Sequence, residues 1–302
     1  EPATLAALLS PAGAGHLAPA PGPVAPRRVR SEIRPHAERE DAVREGTHRL
    51  HVGDGELLVR VRGRGPRLLL LHGLTAHGGA WRRVVGRLAD RFTLVVPDLL
   101  GRGRSDARPD VRYGLDRELA RVRELARRTG TVGRPVVGHS QGAALAAAMT
   151  AWPDPPSALV LVCPVTPWTR RPPVLDLLRG RAARRAAAAA AVRVRRPLCR
   201  RVLRRRVFAD PDRVDEETVR RYARPWSERR RARALLRVLA DWRPSELRGR
   251  VQGSPPPCRV VAGARDRRVP PVRARRWARR MDADWEIVEE AAHMVPVEAP
   301  GA

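Results

Sequence analysis

The chain has 302 residues and a formal net charge of +28, from 60 basic residues against 32 acidic ones. All 60 are arginine, because the sequence contains no lysine; with abundant Ala, Gly, Pro and Val, this usage is typical of a very GC-rich coding sequence. The arginines are spread along the chain, and two Tyr and two Phe offer no alternation of basic and aromatic side chains that could stack bases. The composition therefore excludes a specific nucleic-acid partner from our expectations, although non-specific binding at low salt would be unsurprising.

Cysteine content and hydropathy bound the setting of the protein. Cys163, Cys199 and Cys258 are odd in number and have no C-x-x-C spacing, so we expect free thiols, no metal site and a reducing cytoplasm. No apolar stretch reaches ~18 residues, so no membrane span is expected. Residues 1–45 are rich in Ala, Pro, Gly and Arg and lack periodicity, which predicts a disordered leader.

The ordered part is predicted to begin with strands. Residues 47–62 contain two extended runs around Gly53-Asp54-Gly55, which predicts a β-hairpin. Residues 67–71 include four leucines and predict a buried parallel strand that ends at His72-Gly73-Leu74-Thr75.

Strands and helices then alternate along the chain. Apolar residues at helical spacing predict two helices, and short apolar runs at residues 92–96 and 136–137 predict two strands. The helical positions are Trp81, Val84, Val85 and Leu88, then Leu115, Leu119, Val122 and Leu125. Such alternation predicts an α/β fold with a doubly wound, mostly parallel sheet.

The strand at 136–137 runs into Gly138-His139-Ser140-Gln141-Gly142, followed by an alanine-rich helical run. The pattern G-x-S-x-G at a strand-to-helix junction is that of a nucleophile elbow, whose glycines let the backbone turn sharply enough to expose a serine hydroxyl. Ser140 is therefore the candidate nucleophile; its alternative is an ordinary helix N-cap.

Two further candidates follow strands near the end of the chain. Asp266 comes just after the run 259–262, and His293 comes after the run 285–288. Ser140, Asp266 and His293 thus appear in the order nucleophile, acid and base, each beyond a strand end, where ligand-facing residues of open α/β sheets gather. An imidazole can take the serine proton near neutral pH, and a carboxylate can fix its tautomer. The alternatives are a turn aspartate and a loop histidine.

The loop after residue 71 lies beside the elbow in this topology. Backbone N–H groups of Leu74 and Gln141 are the predicted donors to a developing oxyanion, whereas the side chains of His139 and Gln141 are not expected to be catalytic.

On these motifs, and on Pro97-Asp98-Leu99-Leu100-Gly101-Arg102-Gly103-Arg104-Ser105-Asp106, the chain from about Thr47 onward resembles the α/β-hydrolase superfamily. The resemblance implies a core of residues 46–163 and 258–302 and an inserted helical cap at residues 164–257. It also implies a terminal helix after the loop that carries His293. The sequence stops nine residues after His293, so the chain is either a fragment or a protein that has lost this helix. Absence of the helix is expected to expose an apolar flank and to loosen His293.

Within the predicted cap, helical runs are expected to break at Pro197 and near Pro211 and Pro225, and Asp210 is the expected N-cap of the helix that follows. Trp168, Trp226 and Trp242 either line the pocket or belong to the cap core.

The predicted function is cleavage of an ester or related acyl bond of a small, largely apolar substrate, without a cofactor. Ser140 argues against the epoxide hydrolases and dehalogenases of this superfamily, which generally use aspartate at the elbow. The alternatives are a C–C bond hydrolase, an acyltransferase, a cofactor-free peroxidase and a non-catalytic ligand-binding protein of the same fold.

Overall fold

The computed structural model describes residues 43–251 and 255–302. The leader predicted for residues 1–45 lies outside the described residues as far as residue 42. None of the helices in the described part of the chain combines the length and the apolar character that crossing a bilayer requires.

The described residues form one eight-stranded sheet in the order β1-β2-β4-β3-β5-β6-β7-β8. Strand β2 is antiparallel to both of its neighbours, and all the pairings from β4 through β8 are parallel. The predicted mostly parallel sheet is confirmed. The strands are β1 Gly46–Val52, β2 Gly55–Arg62, β3 Arg67–Leu71, β4 Thr93–Pro97, β5 Val136–His139, β6 Leu159–Val162, β7 Cys258–Gly263 and β8 Asp284–Val288.

The predicted hairpin is present with its turn shifted by one residue. Val52 pairs with Gly55, so the two-residue loop is Gly53-Asp54 and Gly55 is the first residue of β2. Gly53 has a φ of 55°, a left-handed conformation that glycine adopts without a Cβ clash.

Helices cover both faces of the sheet. Alternate residues of β3 pack on opposite faces of the sheet. Leu69 and Leu71 lie on the side of the helix at residues 115–128, and Leu68 and Leu70 lie on the side of the helix at residues 82–88. A strand buried on both faces explains the unbroken leucine run. The helices are α1 Arg82–Leu88, α2 Leu115–Arg128, α3 Gln141–Ala148, α4 Arg181–Val202, α5 Glu216–Ala223, α6 Arg229–Asp241, α7 Pro271–Arg280 and α8 Val295–Glu298.

Between β6 and β7 the described chain contains helices and turns and no strand. We call residues 164–257 the inserted segment; it holds α4, α5 and α6. The predicted break at Pro197 is wrong, because α4 continues through it. A proline inside a helix removes one N–H and leaves the carbonyl four residues earlier without its partner. Pro197 and Arg193 are both exposed, so water can satisfy that carbonyl.

The capping prediction at Asp210 is also wrong in its detail. The Asp210 carboxylate accepts a hydrogen bond from the N–H of Asp212 and caps only the 3-10 turn Pro211–Arg213. Helix α5 begins later, at Glu216, and its N-cap is Asp215, which accepts the N–H of Thr218 at 2.7 Å. Asp210 and Asp215 are both suited to cap a helix and lie five residues apart, and only Asp215 caps α5.

After His293 the chain forms α8, a single helical turn that packs against α1. The residues beside it border a groove of about 70 Å³. The apolar lining of this groove includes Trp81, Val84, Leu88, Val160, Val261 and Val295, which are all buried.

Candidate active site

Ser140 lies at a strained turn between β5 and α3. Its φ and ψ of 54° and −112° fall outside the regions that residues with a side chain normally adopt. A Cβ on Gly138 would collide with the backbone of Gly142 and Ala143, and one on Gly142 would collide with the carbonyl of Leu71. Only glycine fits at these two positions, so the two glycines permit the sharp turn and the close approach to β3.

The structure brings Ser140, His293 and Asp266 into one buried hydrogen-bonded chain. The Ser140 Oγ lies 3.0 Å from Nε2 of His293, and the His293 Nδ1 lies 2.7 Å from Oδ2 of Asp266. Oδ1 of Asp266 accepts the backbone N–H groups of Arg268 at 2.7 Å and Val269 at 2.9 Å. The carboxylate is thereby fixed in orientation and, in turn, fixes the imidazole.

The electrostatics of Asp266 suit an ionised partner for the imidazole. Burial alone would raise the pKa of Asp266, but His293 and the two backbone N–H donors outweigh it and hold the pKa below its ordinary value. An ionised Asp266 accepts a hydrogen bond from Nδ1–H, which leaves the Nε2 lone pair free to accept the hydroxyl proton of Ser140.

Leu74 and Gln141, the predicted oxyanion donors, flank the serine. Leu74 and Ser140 line the same cavity, and Gln141 is the first residue of α3. Across the residues that the structure describes, neither backbone N–H has a protein acceptor. Two unengaged N–H groups beside a nucleophile can stabilise a negative charge that develops there.

Arg102 contacts both Leu74 and Gln141. Its Nε donates to the carbonyl of Leu74 at 3.3 Å, and its Nη2 donates to Oε1 of Gln141 at 2.6 Å. The buried guanidinium is balanced by Glu118, whose two oxygens lie 3.0 and 3.1 Å from Nη1. The sequence analysis missed this residue, although it lies within the glycine-rich motif at residues 97–106.

His139 holds the histidine loop. Its Nε2–H donates to the carbonyl of His293 at 2.7 Å, and its ring lies 5.0 Å from the His293 ring. Burial lowers the pKa of His139 to about 3, so the ring is neutral at physiological pH. Among the described residues its ring nitrogens form no hydrogen bond with the Ser140 hydroxyl, and its role in holding the loop was not foreseen.

Glu298 secures the same loop from α8. Its Oε2 accepts the N–H groups of Ala292 at 3.0 Å and Met294 at 3.2 Å, on either side of His293. Its Oε1 accepts the N–H of Ala209 in the inserted segment at 2.6 Å. One carboxylate in the single turn of α8 thus ties His293 down, contrary to the expectation that this histidine would be loose.

Cys163 lies close enough to Asp266 and His293 for the three side chains to be considered as metal ligands. The hydrogen bond between Asp266 and His293 occupies the space that an ion would need, and burial raises the pKa of the Cys163 thiol, which disfavours the thiolate a metal requires. The arrangement fits a hydrogen-bonded pair beside a protonated thiol.

A cavity of about 270 Å³ opens above Ser140 and His293. Its roof comes from the inserted segment, and its charged lining side chains are Arg195 and Arg268. The apolar lining residues of the inserted segment are Ala191, Leu198, Val202, Leu203, Val207, Trp226 and Leu239.

The three tryptophans of the inserted segment lie in different places. Trp226 lines the cavity, whereas Trp242 is buried in the main core. Trp168 packs edge-on against Trp277, with Arg276 stacked over its ring at 4.1 Å. Only Trp226 is therefore placed to contact a ligand.

Comparison with known proteins agrees with this fold. The chain matches the model of the alpha/beta hydrolase family over residues 68–302, and it belongs to that family. A solved alpha/beta hydrolase fold protein from Burkholderia ambifaria superposes with a TM-score of 0.70 and 25% identity, over 84% of this chain and 96% of that one.

Among curated relatives, the chain is similar to a pimeloyl-[acyl-carrier protein] methyl ester esterase of Methylococcus capsulatus. The identity is 32% over 228 residues, which cover 71% of this chain and 82% of the relative. An uncharacterized protein of Mycobacterium tuberculosis is 38% identical over 87 residues, 29% of this chain and 25% of that protein. The chain thus matches about a quarter of that relative's length. Its relatives include esterases and other hydrolases.

Proposed function

We propose that the protein is a serine hydrolase that cleaves an ester or related acyl bond through an acyl-enzyme at Ser140, with Asp266 and His293 completing the triad. The observation that carries this proposal is the buried hydrogen-bonded chain from Ser140 through His293 to Asp266. The two unengaged N–H groups beside it, of Leu74 and Gln141, support the same chemistry.

In the first half-reaction, His293 Nε2 takes the proton of Ser140 as Oγ attacks the carbonyl carbon of the substrate. The carbonyl oxygen gains the negative charge, and the N–H groups of Leu74 and Gln141 stabilise it. As the tetrahedral intermediate collapses, the bond to the leaving oxygen breaks and His293 returns its proton to that oxygen. Ser140 is left acylated.

In the second half-reaction, water replaces the alcohol. His293 removes a proton from the water as its oxygen attacks the acyl carbon, and the bond from this carbon to Ser140 Oγ then breaks. The proton goes back to Oγ, and a carboxylic acid leaves. No redox cofactor is needed, because no electrons are gained or lost overall.

The substrate class follows from the cavity. A space of about 270 Å³ with mostly apolar walls fits a short or medium acyl chain and excludes water once filled. The inserted segment supplies most of these walls, so we propose that it acts as the cap that selects the acyl group. The three free cysteines support a reducing, cytoplasmic setting.

The test is turnover of p-nitrophenyl acetate, butyrate, octanoate and palmitate by the wild type and by Ser140→Ala. We expect turnover of the short and medium esters, with an acyl adduct on the wild type in quenched samples and loss of at least about 10³-fold in kcat for the variant. Undiminished turnover by Ser140→Ala would refute the proposal.

A further inference from the structure

Acidic residues are missing from an arginine-rich part of the inserted segment. Between Asp176 and Asp210 the sequence has twelve arginines and no carboxylate. The structure describes all of this stretch, most of which is α4 and the turn after it. Of the arginines from 181 to 206, only Arg200 forms an ion pair there, with Glu216. This surface therefore carries a local positive charge that the protein does not neutralise.

Exposed apolar side chains concentrate in the same region. Among the described residues, six large apolar side chains are more than 40% exposed, and four of them lie on α4 or on the 3-10 turn Pro173–Arg179 before it. Arg184 donates to the carbonyl of Leu178 at 2.7 Å, which holds that turn against α4. The four are Val174, Leu177, Val194 and Leu198.

The exposed residues of α4 and of the turn after it include two adjacent stripes at helical spacing. The apolar stripe consists of Ala183, Ala186, Ala190, Val194, Pro197 and Leu198, all exposed, and the exposed Arg201 ends it. The basic stripe consists of Arg193, Arg196 and Arg200 on α4 and Arg204 in the turn after it, also exposed. We call the two stripes together the α4 face. The opposite side of α4 packs against α6, where Ala188 contacts Ala232 and Leu236, whereas the apolar stripe is turned to solvent and has no partner within the described protein.

We propose that the α4 face docks on an anionic lipid surface. Its arginines would pair with headgroup phosphates, while Val194 and Leu198 enter the boundary between headgroups and acyl chains. Charge complementarity favours this partner, and the apolar stripe beside the arginines favours a bilayer over a nucleic acid. No aromatic side chain that could stack bases is among the six large exposed apolar residues of the described chain.

The α4 face borders the mouth of the cavity above Ser140. Leu198 is half-exposed and lines the cavity, and Arg195 lines it as well. Docking would turn the mouth toward the bilayer, so that esters dissolved in the membrane reach the serine; this consequence rests on the proposed function. The docking itself does not depend on it.

The test is flotation of the full chain with vesicles of phosphatidylcholine alone or with about 30 mol% phosphatidylglycerol, at about 0.15 M salt. Arg193→Gln/Arg196→Gln/Arg204→Gln removes three charges from the α4 face. Arg275→Gln/Arg279→Gln/Arg280→Gln removes three exposed charges from α7 and is the matched control. Glutamine keeps a helix propensity close to that of arginine, so both variants are expected to fold.

We expect the wild type to bind the anionic vesicles at least about tenfold more tightly than the neutral ones. The affinity of the α4 variant for the anionic vesicles should fall by at least about tenfold, and that of the α7 variant by less than about threefold. Val194→Ser/Leu198→Ser should weaken binding more than Val272→Ser/Ile287→Ser, which alters two exposed apolar residues elsewhere.

Three results would overturn the proposal: no preference for anionic vesicles, equal losses in the two arginine variants, or tight binding to duplex DNA with none to vesicles. The wild type, assayed for both flotation and ester turnover, separates the two proposals. Vesicle binding by the wild type without esterase activity would leave docking intact and refute the hydrolase, and the reverse result would refute docking alone.

Discussion

The imidazole of His293 makes two hydrogen bonds, and the partner of each nitrogen determines where the ring carries its proton. The Asp266 carboxylate accepts from Nδ1, which leaves Nε2 as the acceptor for the Ser140 hydroxyl. If Asp266 were absent, the imidazole could place its proton on Nε2 and face the serine with a donor. Asp266 therefore determines which nitrogen of His293 carries the proton.

Asp266→Asn tests this assignment. The amide keeps the shape of the side chain but favours the wrong tautomer, so we expect kcat on p-nitrophenyl butyrate to fall by about 10⁴-fold. Asp284→Asn, which changes an exposed carboxylate, is the control and should leave kcat within about twofold. Equal activity of the two variants would show that Asp266 does not orient His293.

The histidine loop depends on contacts from distant elements. Glu298 in α8 accepts three backbone N–H groups, two of them beside His293, and His139 at the elbow donates to the His293 carbonyl. A catalytic group displaced by about 1 Å can lose on the order of a hundredfold in rate.

Glu298→Gln tests whether this carboxylate positions His293. An amide has one acceptor oxygen, so it can keep either the two N–H groups beside His293 or the N–H of Ala209, and its own NH₂ opposes the other. We expect kcat to fall by about ten- to a hundredfold, with a stability loss of about 1–3 kcal/mol. Glu290→Gln, an exposed neighbour in the β8 turn, is the control. Unchanged kcat in Glu298→Gln would mean that this carboxylate does not position His293.

The Arg102–Glu118 pair links α2 to the candidate oxyanion donors. Removal of Arg102 alone leaves Glu118 partly unpaired in the core, so Arg102→Met should destabilise the fold by about 3–5 kcal/mol. Arg102→Met/Glu118→Leu removes both charges and should recover most of that stability in urea unfolding. Activity should stay low in both, because Leu74 and Gln141 have lost their common contact. Recovery of activity together with stability would show that Arg102 is only structural.

The sequence predicted those features that depend on local geometry. The elbow at Ser140 needs glycine at two fixed positions, and the predicted strands place Asp266 and His293 just past strand ends. The contacts of Arg102, His139 and Glu298 could not be predicted, because they join residues far apart in the chain. The break expected at Pro197 failed since its cost depends on whether water reaches the freed carbonyl, which is a property of the folded surface.

At the scale of the whole molecule, the buried histidines govern the response to acid. Burial lowers the pKa of both His72 and His139 from 6.5 to about 3, so the folded protein keeps them neutral while the unfolded chain takes up protons below about pH 6.5. The unfolded state then binds more protons, and stability falls as the pH falls.

We therefore expect these two histidines to contribute a decrease of about 2.7 kcal/mol per pH unit to the free energy of unfolding between about pH 6 and pH 4. The measurement is urea unfolding at a series of pH values. His139→Gln should reduce the measured slope by about 1.4 kcal/mol per pH unit, because one proton fewer is taken up on unfolding. His48→Gln, on the exposed edge of β1, is the control. A slope that His139→Gln leaves unchanged would contradict the account.

The distribution of charge is also a property of the whole molecule. Arginines occur throughout the sequence, but the inserted segment has 26 of them against nine carboxylates, so the fold concentrates positive charge on the side of the cavity mouth. The total of +28 could not reveal this asymmetry, because a sum over the chain does not show how the charges divide between the inserted segment and the rest.

The central claim is that Ser140 is an activated nucleophile, and the most direct test is reaction with a fluorophosphonate probe followed by intact-mass measurement. The account predicts one phosphonyl adduct on the wild type and none on Ser140→Ala, with Asp266→Asn labelled much more slowly. A folded wild-type protein that gains no adduct, or a Ser140→Ala variant that gains the same one, would contradict it.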